Sequence, residues 1–204
     1  MINYKVYEWG PLLVKTEIND EFRLGLLERS KHLNVDFRKS LAGHIDKEKL
    51  VTKPEDLDYF MKNIQQYLDI YFDEAWPNFF HKNKKPEEVK LLSLWVNFMR
   101  PGECNPPHIH GDDLSFVLYL DVPEMIAEEN RNVINNDVGT LGGIRFMYGS
   151  DGLKDTLTHA TEQPATGDLF IFPSHLTHFV APFKSDCTRI SMSGNFVFNR
   201  GDTN

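Results

Sequence analysis

The sequence predicts an α+β protein: helices in the first part of the chain, then a mainly β core that closes into a sandwich or barrel. Three observations predict it. Before about residue 90, apolar residues recur at helical spacing. After it the period is two, in six short runs separated by turn chemistry. The 204 residues, 41% hydrophobic and 12% aromatic, suffice to bury a real core, and the simplest organisation is one domain over 1–204, with a helical part (1–89) packed on the barrel (90–200).

The elements follow in order. "YKVYEW" reads as an opening strand and "LLVKTEI" as a second extended piece. "NDEFRLGLLERSKHL" starts with Asn19 and Asp20, good N-caps, and repeats Phe22, Leu24, Leu26 and Leu27 at helical spacing. "KPEDLDYFMKNIQQYLDIYFDEAW" is the stronger helix. Pro54 suits its first turn, Glu55 and Asp56 favour its positive end, and Leu57, Phe60, Met61, Ile64, Tyr67, Leu68 and Tyr71 form one stripe. That stripe needs a partner, and the outer face of a sheet is the natural one. The six strands are 90–100, 114–122, 143–150, 168–174, 178–183 and 188–198. Pro-Gly, Pro-Pro, Gly-Gly and Thr-Gly-Asp between them are turn residues. Pro123 to Gly139 reads as an acidic loop, suited to a lid or to one side of a peptide groove.

Charge narrows the function. With 30 acidic against 22 basic residues the net charge is −8, which argues against binding nucleic acid through its phosphates. No apolar run reaches membrane-spanning length and "MINYKVYEWG" lacks a signal-peptide core, so a soluble cytoplasmic protein is expected. Cys104 and Cys187 form no disulfide framework and are expected as free thiols. A homodimer is compatible with the sequence, which does not itself fix an oligomeric state.

The chemistry gathers in "NPPHIHGDDLSFVLYLDVPE", where His108, His110, Asp112 and Asp113 crowd the mouth of an apolar strand. Residues one position apart on a strand point the same way, so His108 with His110, or His110 with Asp112, can face one ion. A third ligand must come from a distant strand, and His178, at the start of "HFVAPF", is better placed than His175 in its turn. Arg189 and Ser191 share a face of the last strand and suit a carboxylate. Singly, each has an ordinary structural explanation: a turn residue, a rim histidine, a surface ion pair. Together and in order they do not. His44, His81 and His159 have no such company and read as surface residues; His32 reads as helical.

On "NFMRPGECNPPHIH", "LSFVLYL", "GDLFIFPSHLTHFV" and "RISMSGNFVF", residues 90 to 200 resemble the 2-oxoglutarate- and Fe(II)-dependent oxygenases, in a branch found in bacteria and phages. The resemblance implies a double-stranded β-helix, a jelly-roll or cupin-like barrel with the N-terminal helices on its outer sheet. It also implies Fe(II), 2-oxoglutarate and O₂ as reactants, succinate and CO₂ as products, and hydroxylation of an organic or peptide substrate. Family members carry a facial triad of two His and one carboxylate. Gly102 precedes His108 as a glycine often precedes the family's first ligand, which puts His110 in the slot usually filled by Asp or Glu.

Three readings stay open. His108, His110 and His178 form a three-histidine centre, which is preferred; the register shifts so that His110, Asp112 and His178 ligate; or His110 only stands near a two-ligand iron. By the same resemblance Arg189 pairs with the far carboxylate of 2-oxoglutarate and Ser191 helps it, with Tyr119 and Asn97 as further partners. Trp95, Phe98, Phe116, Tyr119, Phe146, Tyr148, Phe170, Phe172 and Phe196 are expected to line a dry barrel interior. Two alternatives are a cupin-like three-histidine dioxygenase that does not use 2-oxoglutarate, and a non-catalytic ligand-binding module.

Overall fold

The computed structural model describes residues 2–7, 10–79, 85–132, 140–149 and 158–199. The first four strands are β1 (Tyr4–Tyr7), β2 (Leu13–Glu17), β3 (Val35–Asp36) and β4 (Glu48–Leu50). The barrel proper is built from β5 (Glu88–Met99), β6 (Asn105–His108), β7 (Leu114–Asp121), β8 (Ile144–Met147), β9 (His159–Glu162), β10 (Asp168–Pro173), β11 (Thr177–Val180) and β12 (Arg189–Asn199). They form two sheets, one in the order β1-β2-β10-β7-β12-β5-β4-β3 and one in the order β6-β11-β8-β9. From β5 on, the chain crosses repeatedly from one sheet to the other, and all pairs are antiparallel. This is the double-stranded β-helix.

Strand parity divides the core in two. Val117 and Tyr119 of β7, Phe170 and Phe172 of β10 and Phe146 of β8 pack between the sheets. Leu118 and Leu120, Leu169 and Ile171, Val96 and Met192 face the other way, against the helices. Helix α1 (Asp20–Ser30) is capped by Asn19, whose side chain accepts from the Phe22 amide at 2.9 Å. Helix α2 (Pro54–Asp69) has Pro54 in its first turn and continues through a π-helical turn, Ile70–Ala75, into α3 (Trp76–Phe79). Its stripe is buried as predicted at Phe60, Ile64, Tyr67, Leu68 and Tyr71, with Leu57 and Met61 half-buried. Phe60 stacks on Phe116 at 5.2 Å, which joins the helix layer to the sheet.

Several expectations need correction. The interior aromatic set splits: Phe98, Phe116 and Phe196 belong to the helix-facing core, and Tyr148 is 57% exposed. The predicted loop at Pro123–Gly139 begins as a helix, α4 (Glu124–Arg131); residues 133–139 lie outside the described residues. A single buried residue, Ile126, is too little for a periodic signal, and tertiary contacts supply the rest. Strands β3, β4, β6 and β9 were not among the expected strands; β3 and β4 have only two and three residues, and β6 (Asn-Pro-Pro-His) and β9 (His-Ala-Thr-Glu) carry no alternating apolar residues. The strand expected at 178–183 is Thr177–Val180, and His32 lies just past the end of α1. Trp9, His81 and Ser150, part of other expectations, lie outside the described residues.

Candidate metal centre

β6 and β11 are neighbours in the smaller sheet, and their register sets His108 directly opposite His178. Their ring centroids are 4.2 Å apart. The chain then leaves β6 and brings His110 back, 5.0 Å from His108 and 5.3 Å from His178. One nitrogen from each ring lies within 4.8 Å of the other two. Such a group can hold a divalent ion that accepts imidazole. Among the described residues no other His, Cys, Asp or Glu group of three does so, and Asp112 is outside this one.

The rings are prepared for that role. His108 Nδ1 lies 2.7 Å from the Pro106 carbonyl and His178 Nδ1 2.9 Å from that of Leu176. A ring whose Nδ1–H donates to a carbonyl keeps its Nε2 lone pair free to ligate. Burial lowers the basicity of all three imidazoles, His110 to about 4 and His178 to about 3, and their mutual repulsion when charged adds to the last two. They are therefore neutral at pH 7, the form that binds metal.

The connection carrying His110 is stapled at several points. The His110 amide donates to the Ser174 carbonyl at 2.9 Å and the Asp113 amide to that of Phe196 at 3.1 Å. The Asp113 carboxylate accepts from the Phe198 amide at 2.8 Å. Beneath it, Ser115 Oγ is 2.7 Å from Ser174 Oγ and donates to Asn195 Oδ1 at 2.8 Å, all three side chains buried. None of Ser115, Ser174 and Asn195 stands out in the sequence. Ser115 and Asn195 are small polar residues on otherwise apolar strands and Ser174 follows another such strand in a turn, and that mismatch is their only signal.

The larger sheet supplies the other wall. Arg189, Ser191, Asn97 and Tyr119 line a pocket of about 470 Å³, its open mouth included, together with the three histidines. Ser191 pairs with Asn97 on one side and Tyr119 on the other. Arg189 is 2% exposed. It donates to the Gly142 carbonyl at 2.5 Å and contacts Met99 Sδ at 2.9 Å, and its guanidinium lies 5.3 Å from the centre of the Tyr119 ring. Gly142 adopts φ +65°, where any other residue would be strained, and Asn130 of α4 brackets Leu141 beside it with hydrogen bonds of 2.8 Å to both its carbonyl and its amide.

Among the described residues no carboxylate forms an ion pair with Arg189, and its Nε, the Tyr119 hydroxyl and Asn97 Oδ1 have no hydrogen-bond partner. A buried cation without an anion is expensive unless a ligand completes it. Burial pushes the Tyr119 hydroxyl up to about 12, so it stays a neutral donor. Cys104 and Cys187 are free and half-buried, and His175 is exposed in its turn.

Fold and pocket together define a β-helix barrel that pairs a candidate metal site with a buried arginine that has no carboxylate partner among the described residues. The particular family follows from a sequence comparison: the family model described as "Putative 2OG-Fe(II) oxygenase" matches residues 93–195 of the chain. This chain belongs to the 2-oxoglutarate- and Fe(II)-dependent oxygenase family, whose cofactor is Fe(II) and whose cosubstrate is 2-oxoglutarate.

Solved structures agree on the fold. A Pseudomonas putida prolyl-4-hydroxylase is 18% identical with a TM-score of 0.54, covering 98% of this chain and 93% of that one. The viral collagen prolyl hydroxylase of Paramecium Bursaria Chlorella virus-1, bound to 2OG, is 16% identical with a TM-score of 0.55, over 90% and 94%. HygX from Streptomyces hygroscopicus, with nickel and 2-oxoglutarate bound, is 10% identical with a TM-score of 0.56, over 96% and 86%. No curated protein matches by sequence. The residues present fit both reactants: three neutral imidazoles for the metal, and a buried, uncompensated arginine for a dicarboxylate.

Proposed function

We propose that this protein is a 2-oxoglutarate-dependent, non-haem Fe(II) hydroxylase, with His108, His110 and His178 as metal ligands. Arg189 binds the far carboxylate of 2-oxoglutarate, and Ser191, Tyr119 and Asn97 complete its polar surroundings. The observation that carries this reading is Arg189: 2% exposed, without a carboxylate partner among the described residues, in the pocket that the three imidazoles line. A guanidinium held there by the Gly142 carbonyl is oriented for an oxygen anion before one arrives. When bound, Fe(II) with 2-oxoglutarate and O₂ supplies the oxidising chemistry, releasing succinate and CO₂ as substrate is hydroxylated.

The chain contributes position and dryness. The aromatic packing of Phe146, Phe172 and His178, with centroids 4.8 to 6.2 Å apart, keeps water from the inner side of the site. Three of the structurally similar proteins are prolyl hydroxylases, which supports an amino-acid or peptide substrate. Succinate release in air, with substrate candidates, tests the activity. Calorimetric titration of 2-oxoglutarate into the anaerobic, metal-loaded protein tests the site. No binding of 2-oxoglutarate would end the proposal.

The three-histidine set favours one other reading, a cupin-like dioxygenase without 2-oxoglutarate. In that case Arg189 has no cosubstrate to hold, and Arg189→Ala leaves turnover with its own substrate intact.

A further inference from the structure

The polar row on the inner face of the larger sheet does not stop at Asn97. On the side away from Ser191, Asn97 is paired with Glu48 of β4, so Glu48, Asn97, Ser191 and Tyr119 run across four adjacent strands on one face. Glu48 is 1% exposed, and neither of its carboxylate oxygens has a hydrogen-bond partner. Asn97 Oδ1 and Asn105 Oδ1 are likewise buried and unpartnered. The Asn97 amide nitrogen is turned to the hydroxyls of Ser191 and Ser193, at 3.5 and 3.4 Å, so its orientation is settled by donors and acceptors. A Cβ built on Gly43 would lie 2.8 Å from Glu48 Oε1 and 3.4 Å from Asn105 Oδ1, so those two acceptors converge on one spot. Asn97, Asn105 and the neighbouring Ile45 all line the metal-site pocket.

Glu48 itself does not line the pocket; it lies behind Asn97 and Asn105, which do, so the polar surroundings of the pocket differ in sense from one end to the other. The Arg189 end is rich in donors and suits an anion. At the Glu48 end the buried atoms left without a partner are all acceptors: both Glu48 carboxylate oxygens, Asn97 Oδ1 and Asn105 Oδ1. A buried carboxylate beside two unpaired amide oxygens is unfavourable alone and favourable around a cationic N–H group, which gives each acceptor a charge-assisted hydrogen bond. We propose that Glu48, with Asn105 and Asn97, recognises a protonated nitrogen of the substrate, an ammonium or a guanidinium. The proposal rests on the hydroxylase reading and names the substrate class: an amine or guanidine, carried either by a free metabolite or by a lysine or arginine side chain of a peptide. Burial first, then the charges of Glu103 and Asp36, hold the Glu48 carboxyl at about 7 against the opposing pull of Arg38, so a further cation in contact with it would favour the ionised form.

The test compares cations with neutral isosteres on protein loaded with Ni(II), anaerobically. L-lysine is set against L-norleucine, L-arginine against L-citrulline, and the same side chains are placed in blocked glycine-flanked peptides. Affinities are measured by calorimetry with and without 2-oxoglutarate. The expected result is a cationic member binding roughly tenfold or more tightly than its isostere, with that ratio falling to about one in Glu48→Gln. Preference in the peptides alone assigns a polypeptide side chain, and preference in the free compounds alone a small molecule; both support the proposal. A ratio near one in the wild type, or one that survives Glu48→Gln, overturns it. The wild-type pairs decide the matter even if the variant does not fold. Failure to bind 2-oxoglutarate in the same titrations would sink the hydroxylase reading separately, since the isostere ratio is read on metal alone.

Discussion

His108 and His178 face each other across the β6–β11 ladder, so a single strand pairing sets two of the three candidate metal ligands. Side-chain period two makes this arrangement sensitive to register: a slip of one residue would turn one imidazole out of the pocket. Replacing His178 by Ala removes the most deeply buried of the three rings. Nickel affinity, measured by calorimetry, is expected to fall by more than about a hundredfold, beyond what loss of an outer supporting hydrogen bond does. An unchanged affinity would show that the ion, if any, sits elsewhere.

Acid should destabilise the metal-free protein. His110 and His178 bind protons more weakly folded, near 4 and 3, than unfolded, near 6.5. Below about 6.5 the unfolded chain therefore takes up more protons, and stability falls as pH drops toward 4, by an amount on the order of a few kcal/mol. Glu48 acts in the opposite sense. Its carboxyl is held at about 7 folded against 4.5 unfolded, so its contribution is full below 4.5 and is lost as pH rises through 7. Urea midpoints from pH 7 to 4.5 should fall in the wild type and fall more steeply in Glu48→Gln. Nickel should raise the midpoint more at pH 7 than at pH 5, because protons compete for the same nitrogens.

Arg189→Ala separates the proposed anion site from the candidate metal site. Loss of the buried guanidinium should weaken 2-oxoglutarate by about 2–5 kcal/mol, with nickel affinity nearly unchanged. Asn130→Ala is a milder version. It removes the hydrogen bonds that hold Leu141, next to the Gly142 carbonyl on which Arg189 rests, and should weaken 2-oxoglutarate roughly tenfold. Equal losses of metal and 2-oxoglutarate in either variant would point to general disruption.

Phe60→Ala tests the joint between helix layer and sheet. The ring is fully buried and stacked on Phe116, so its removal should cost about 3–5 kcal/mol in denaturant unfolding. Because Phe116 also borders the pocket, the variant should be assayed for 2-oxoglutarate affinity under conditions where it is folded.

Much of this could be read from the residues alone. Period-two runs announced β5, β7, β10 and β12, and the stripe from Leu57 to Tyr71 announced α2 and its sheet partner. His108, His110 and His178 were recognisable because spacing and order mattered more than any one residue. The interior aromatic set, however, was drawn from composition and not from alternation: Phe116 and Tyr119, three apart on β7, must point to opposite faces, and Phe116 and Phe196 turn toward the helices. Glu48 was invisible for a different reason. In a three-residue strand a glutamate looks like any surface acid, and its burial depends on β4 pairing with β5 far along the chain. Helix α4 hid in the same way, held by Ile126, by Asn130 and by Glu129, which accepts from the Lys184 and Ser185 amides.

Strand β12 lies between β5 and β7 and bonds to both along most of its length. During synthesis those two strands emerge first and must wait, each with a bare hydrogen-bonding edge of largely apolar residues. Until β12 arrives, either edge can template pairing with another chain. A truncation upstream of Arg189 should therefore yield aggregates rather than a folded but weakened protein, and a chaperone that shields strand edges should matter most for this chain until β12 has been made.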